Sequence, residues 1–136
     1  ARGFAVLSFN RPDLEPKAET EDELLALYQV DWIDRRNVQS SLEMAVDRAL
    51  ATGTVDKESM GISGFSDGSA TTQWALINST LFKAAALGSC CEGPYVFPLA
   101  AGPYFTRWKR KAGQRFFEPG VEEQWKPMAL VLNADR

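Results

Sequence analysis

Apolar positions along this chain fall into two kinds of run that alternate. Short continuous runs stand at Phe4-Ala5-Val6-Leu7-Ser8-Phe9, at Gly61-Ile62-Ser63-Gly64, from Ala84 to Ser89, and at Pro127-Met128-Ala129-Leu130-Val131-Leu132. Runs of this length and composition predict strands, and the first and last read as buried strands of a parallel sheet. Between them the spacing changes to a helical one. Val38, Leu42, Ala45, Val46, Ala49 and Leu50 share one face of a helix that starts at Trp32 or Asn37 and runs to Thr52, with Glu43, Asp47 and Arg48 opposite. Gly53 follows, a residue suited to the position just past a helix end. A second helix is predicted over Ser69 to Ile77, with Ala70, Trp74 and Ile77 on one face, and a short one over Leu24 to Val30. Asn10-Arg11-Pro12-Asp13 ends the first strand, because proline removes a ladder donor. Leu14 to Glu23 reads as an acidic surface loop, and Glu19, Glu21, Asp22 and Glu23 as a solvated loop or a helix start. Strand, helix, strand, turn and helix in this order predict an α/β fold: a mostly parallel sheet flanked by helices.

Residues 92–126 break the alternation. They hold Pro94, Pro98, Pro103 and Pro119, eight aromatics from Tyr95 to Trp125, and a basic group at Arg107, Lys109, Arg110, Lys111 and Arg115. The region reads as an irregular helical insertion over the strand ends. Its aromatics divide between core and pocket wall.

Composition narrows the choices. The 136 residues are 45% hydrophobic, enough for one domain with a sizeable core. A net charge of −3 argues against nucleic acid as a partner, since that role calls for a strongly basic surface. No apolar run reaches membrane-spanning length, so no membrane partner is expected. The compartment stays open, with cytoplasm the first expectation and periplasm the second. Cys90 and Cys91 are adjacent; chain neighbours bridge only with strain, so buried free thiols are expected. Two thiols are too few for a metal site, and no metal or other cofactor is expected.

The chemistry concentrates at Met60-Gly61-Ile62-Ser63-Gly64-Phe65-Ser66-Asp67-Gly68-Ser69. Gly64-Phe65-Ser66-Asp67-Gly68 is a G-x-S-x-G pattern between a predicted strand and a predicted helix. In that setting the serine sits on a strained turn and is lifted above the sheet edge as a nucleophile. Gly64 and Gly68 let the backbone close up, and the Asp67 N–H points where an oxyanion would form. The competing reading is a tight strand–helix turn with a solvent-facing serine. The sequence contains no histidine. A serine hydroxyl needs a base to take its proton. Either Ser66 is no nucleophile, or its base lies outside this chain. The Asp67 carboxylate poses a second problem, because it would oppose an adjacent oxyanion; it is expected to turn away, toward a backbone or basic partner.

These residues resemble the catalytic domain of prolyl-oligopeptidase-type serine peptidases, within the α/β-hydrolase fold. Gly3 to Leu7 is similar to that family's strand before the first long crossover. Gly53-Thr54-Val55-Asp56 with the Gly64–Gly68 elbow is similar to its helix end, loop and nucleophile turn. Met128 to Asp135 is similar to the strand that carries the acid. Within the family, the elbow, the Leu81-Phe82-Lys83-Ala84-Ala85-Ala86 segment and Ser89-Cys90-Cys91-Glu92 look most like lasso peptide isopeptidases, which hydrolyse the amide closing the ring of a threaded peptide. Many family members carry glycine where this chain has Ser69.

The resemblance implies Ser66 as nucleophile, the Asp67 N–H as one oxyanion donor and Asp135 as the acid that orients the histidine. It places the histidine beyond Arg136, and the second oxyanion donor and a β-propeller before Ala1. It thus implies that residues 1–136 are the central part of a catalytic domain, inactive alone and prone to self-association through open sheet edges. The partner implied is a peptide, a lasso peptide first. The alternatives are a general prolyl-oligopeptidase-like or dipeptidyl peptidase, and a non-catalytic α/β-hydrolase-fold binding module.

Overall fold

The computed structural model describes residues 3–12, 18–89 and 91–135. Helix α1 (Glu21–Gln29) opens on a capping box. The Thr20 hydroxyl accepts from the Glu23 N–H at 3.2 Å, and the Glu23 carboxylate accepts from the Thr20 N–H at 3.3 Å. Glu21, Asp22 and Glu23 lie in the first turn, where the helix dipole favours negative charge. The acidic cluster therefore starts a helix. Of the loop expected over Leu14 to Glu23, residues 13–17 lie outside the described part.

A single turn (Val30–Trp32) joins α1 to α2 (Ile33–Ala51), with Asp31 and Trp32 at positive φ of 49° and 56°. This reversal drives the Trp32 indole into the core, where its Nε1–H donates to the Gln124 carbonyl at 2.9 Å. Helix α2 buries Val38, Leu42 and Val46, as its spacing predicts, and Gly53 stands just past its end at φ 71°.

Strand β1 (Gly61–Phe65) leads into α3 (Asp67–Asn78), which returns to β2 (Ala84–Gly88). The two strands pair in parallel, in register from Gly61 with Ala84 to Phe65 with Gly88. This β1–α3–β2 unit is the parallel part of the α/β architecture. Helix α3 lies between two apolar clusters. Ala70 and Trp74 join Trp32, Phe116, Val121, Trp125, Met128 and Ala129 on one side; Ala75 joins Leu42 and Val46 on the other. Trp125 packs edge-on against Trp32 at 5.2 Å and meets Phe116 at 5.4 Å.

Two predicted strands are corrected. Residues 4–9 form no ladder, and Phe4 and Val6 are 88% and 92% exposed. Residues 127–132 end in a 3-10 turn (Leu130–Asn133), and Val131 is 64% exposed. A strand is defined by its neighbour's hydrogen bonds. Among the described residues the sheet has two strands, and neither segment is hydrogen-bonded into it.

Residues 92–126 hold α4 (Val96–Lys111) and α5 (Val121–Trp125). Gly102, at φ 79° and ψ 178°, breaks α4 just before Pro103, whose missing N–H and ring preclude a regular turn there. Phe116 and Trp125 are fully buried, whereas Tyr104 and Phe105 are exposed.

Trp125 closes the larger cluster with no exposed surface, and its Nε1–H donates to the Arg115 carbonyl at 2.8 Å. Trp125→Ala is expected to destabilise the domain by about 3–5 kcal/mol, read as a lowered urea-unfolding midpoint, because it leaves a cavity and an unpaired carbonyl.

Candidate active site

The turn between β1 and α3 is built by three residues. Ser66 lies at φ 55° and ψ −117°, outside the helical and extended regions, and its side chain is exposed. Its N–H donates to the Gly88 carbonyl at 3.1 Å, which pins the turn to the end of β2. Gly64 lies so close to the start of α3 that an added Cβ would overlap the Gly68 carbonyl and come within 2.7 Å of the Ser69 nitrogen. Gly68 differs: a Cβ there meets nothing within 4 Å. The close approach thus rests on Gly64. Ser69 is buried, and its hydroxyl donates to the Gly64 carbonyl at 2.8 Å and also contacts the Gly88 carbonyl. This hydroxyl ties the elbow to β2.

Gln73, one turn further along α3, is fully buried. Its amide donates to the carbonyls of Glu92 (2.6 Å) and Met128 and accepts from the Glu92 N–H at 3.0 Å. This side chain holds the segment after β2 and the segment leading to residue 135 against the elbow helix.

Asp67 turns its carboxylate toward cations, as the sequence led one to expect. It is bonded by Arg35 and, at 3.2 Å, by Arg11. Partial burial pushes its pKa up. The Arg35 hydrogen bond and charge, with the charges of Arg11 and Lys109, outweigh that and hold the carboxyl below its ordinary value. Arg11 also pairs with Asp34, and the Arg35 Nε lies 3.7 Å from the same carboxylate. The Arg35 guanidinium further donates to Thr71 Oγ1 at 3.1 Å. The sequence reading missed Arg11, Asp34, Arg35 and Gln73. One signal was present: Arg35 continues the apolar stripe of Val38, Leu42 and Val46, a place where an uncompensated charge does not belong.

Ser66 and Asp67 border a cleft of about 570 Å³. Its apolar wall comes from Phe97, Ala100, Ala101, Phe105 and Trp108 of α4, and its polar floor from Arg11, Arg35, Glu92 and Lys109. Lys109 is buried, pairs with Glu92 at 3.1 Å and lies 5.1 Å from the centre of the Phe97 ring. Arg110 and Arg115 pair with Glu118, and Lys111 with Asp22, so these basic residues each have a carboxylate partner. Asp135 is exposed just after the Leu130–Asn133 turn and does not line the cleft. Cys91 does line it and is disulfide-bonded, which corrects the expectation of free thiols. Cys90 lies outside the described residues.

A parallel strand, a serine at positive φ and a helix starting at the next residue define the nucleophile-elbow arrangement of α/β-hydrolase-type domains. No protein-family model matches the chain. The lasso peptide isopeptidase AtxE2 of Asticcacaulis excentricus is 31% identical over 137 residues, covering 98% of this chain and 20% of that protein. The solved structure of an AtxE2 serine-to-alanine variant with Astexin3-dC4 bound superposes with a TM-score of 0.84 at 29% identity, covering 98% of this chain and 21% of that one. The apo AtxE2 structure gives 0.83 at 30% identity, covering 96% and 20%. Over nearly its whole length the chain is thus similar to a part of a lasso peptide isopeptidase, and its architecture is that of a partial α/β domain. It spans about one fifth of the length of the curated relative it matches.

Gly64→Ala is expected to abolish a folded elbow, seen as loss of the soluble protein or of cooperative unfolding, whereas Gly68→Ala is expected to fold and to unfold at the same or a higher temperature. Asp67 has a second, pH-linked signature. Its folded pKa lies below the unfolded value, so its contribution to stability is complete above about pH 4 and is lost as pH falls through the folded value. Asp67→Asn should therefore show a shallower loss of stability in acid than the parent, measured by denaturant unfolding between about pH 5 and pH 2.

Proposed function

We propose that this chain carries the nucleophile of a serine hydrolase that cleaves peptide or isopeptide amide bonds, and that the full-length protein is a lasso peptide isopeptidase. The observation that carries the reading is Ser66: exposed, at φ 55°, between a parallel strand and a helix, on the rim of a cleft with an apolar wall. The likeness to AtxE2 over nearly the whole chain supports it. In this reading Ser66 Oγ attacks the amide carbonyl carbon and gives its proton to a histidine outside these 136 residues. The oxyanion forms against the Asp67 N–H and a second donor, also from outside. The histidine passes the proton to the leaving amine, and water then hydrolyses the ester on Ser66. Asp135 is proposed as the acid that orients the histidine. The substrate backbone lies along the cleft beneath α4.

A fluorophosphonate probe tests the nucleophile. The full-length protein is expected to label at Ser66, and Ser66→Ala to abolish labelling; an unlabelled parent would instead favour the binding-module reading. Ring-closed peptides are expected to be opened in preference to linear ones, and equal cleavage of linear peptides would favour a general peptidase. With no histidine in residues 1–136, this chain alone is expected to show no sustained Ser66-dependent ester hydrolysis.

A further inference from the structure

Arg11, Asp34, Arg35 and Asp67 form a closed ring of alternating charge. Each arginine touches both aspartates, and each aspartate touches both arginines. The ring joins three distant pieces of chain: the irregular segment at residue 11, the first turn of α2, and the elbow. Its inner members, Asp34 and Arg35, are 3% and 8% exposed, whereas the Asp67 and Arg11 side chains are about half-exposed and face the cleft. Two arginines held this close repel each other, and the buried Asp34 carboxylate that both touch offsets that repulsion.

We infer that Arg35, seconded by Arg11, is a positioning residue for the hydrolytic reaction: it acts through Asp67, drawing that carboxylate off the oxyanion position and neutralising it while the Asp67 N–H stays aimed at the reacting carbonyl. The inference rests on the nucleophile assignment of Ser66. The reason lies in covalent geometry. A residue that offers its N–H to an oxyanion carries its own side chain within about 5 Å of that site. At that range, and at an effective dielectric constant of about 20, a free carboxylate opposes the developing charge strongly enough to slow the reaction by about a hundredfold. Arg35 does not merely fill space here. Its guanidinium spans Asp67, Asp34 and Thr71 Oγ1, which fixes both the direction and the charge of the Asp67 side chain. Thr71 also caps back onto the Asp67 carbonyl at 3.3 Å, so the same contact braces the first turn of α3.

The experiment uses the full-length protein, a p-nitrophenyl ester as substrate and a fluorophosphonate as active-site label. Asp67→Asn is the reference for the double variant, since its amide still accepts from Arg35 and carries no charge. Arg35→Met is expected to lower kcat about a hundredfold with KM little changed. Arg35→Met/Asp67→Asn is expected to recover most of that loss, because removing the unpaired carboxylate removes the reason for the arginine. Parental kcat in Arg35→Met, or a double variant as slow as the single one, overturns the inference. So does a rise in KM at constant kcat, which would make Arg35 a substrate ligand. Arg11→Met, at a half-exposed position, provides the same comparison if Arg35→Met does not fold: a fall in kcat of about fivefold that Asp67→Asn cancels supports the ring's role, and no fall overturns it. A parent that the fluorophosphonate leaves unlabelled marks failure of the nucleophile assignment instead.

Discussion

The first turn of α3 can follow β1 without a connecting loop because residue 64 has no side chain. Its Cα lies where any Cβ would overlap the Gly68 carbonyl, and this contact forces the chain to reverse within one residue. That residue is Ser66, which takes up the reversal as a positive φ. The strain is not borne by the turn alone. The Ser66 N–H is held by Gly88, the Ser69 hydroxyl by Gly64 and Gly88, and Gln73 by the backbone on either side of the helix. An unfavourable conformation persists where its surroundings over-determine it, and here the Ser66 N–H and two buried side chains of α3 do so.

Around this turn the charges are arranged for local neutrality. Asp67 is answered by Arg35 and Arg11, those two by Asp34, and Lys109 by Glu92. All of these pairs except Asp34 with Arg35 join separate segments of the chain, so the electrostatics and the tertiary packing reinforce each other. The cleft that results has an apolar wall from α4 and a polar floor. The Gly102-Pro103 break in α4 lets its two halves follow different directions over that floor.

Local patterns in the sequence carried much of this. The 3.6-residue spacing of Val38, Leu42 and Val46 placed α2, the short apolar runs at 61–64 and 84–89 placed β1 and β2, and Gly-x-Ser-x-Gly between strand and helix marked the turn. These features depend on residues near one another in the chain, and so they are legible without coordinates. The strands expected at 4–9 and 127–132 depended on a neighbour's ladder. Apolar composition cannot supply that neighbour, and among the described residues these segments stay unpaired.

By itself, then, the amino-acid order determined the helix faces, the elbow and its serine, and the lack of any internal histidine base, because each is a matter of residue type or short-range spacing. Only the folded chain decided that Gly64 rather than Gly68 bears the close approach, that Cys91 is bridged, and that Arg35, on what reads as an apolar stripe, is the partner of Asp67 from 32 positions away. The physical reason is the same in each case: such contacts bring together groups whose separation along the chain says nothing about their separation in space, and a charge on a buried face is explained only when its counter-charge is located.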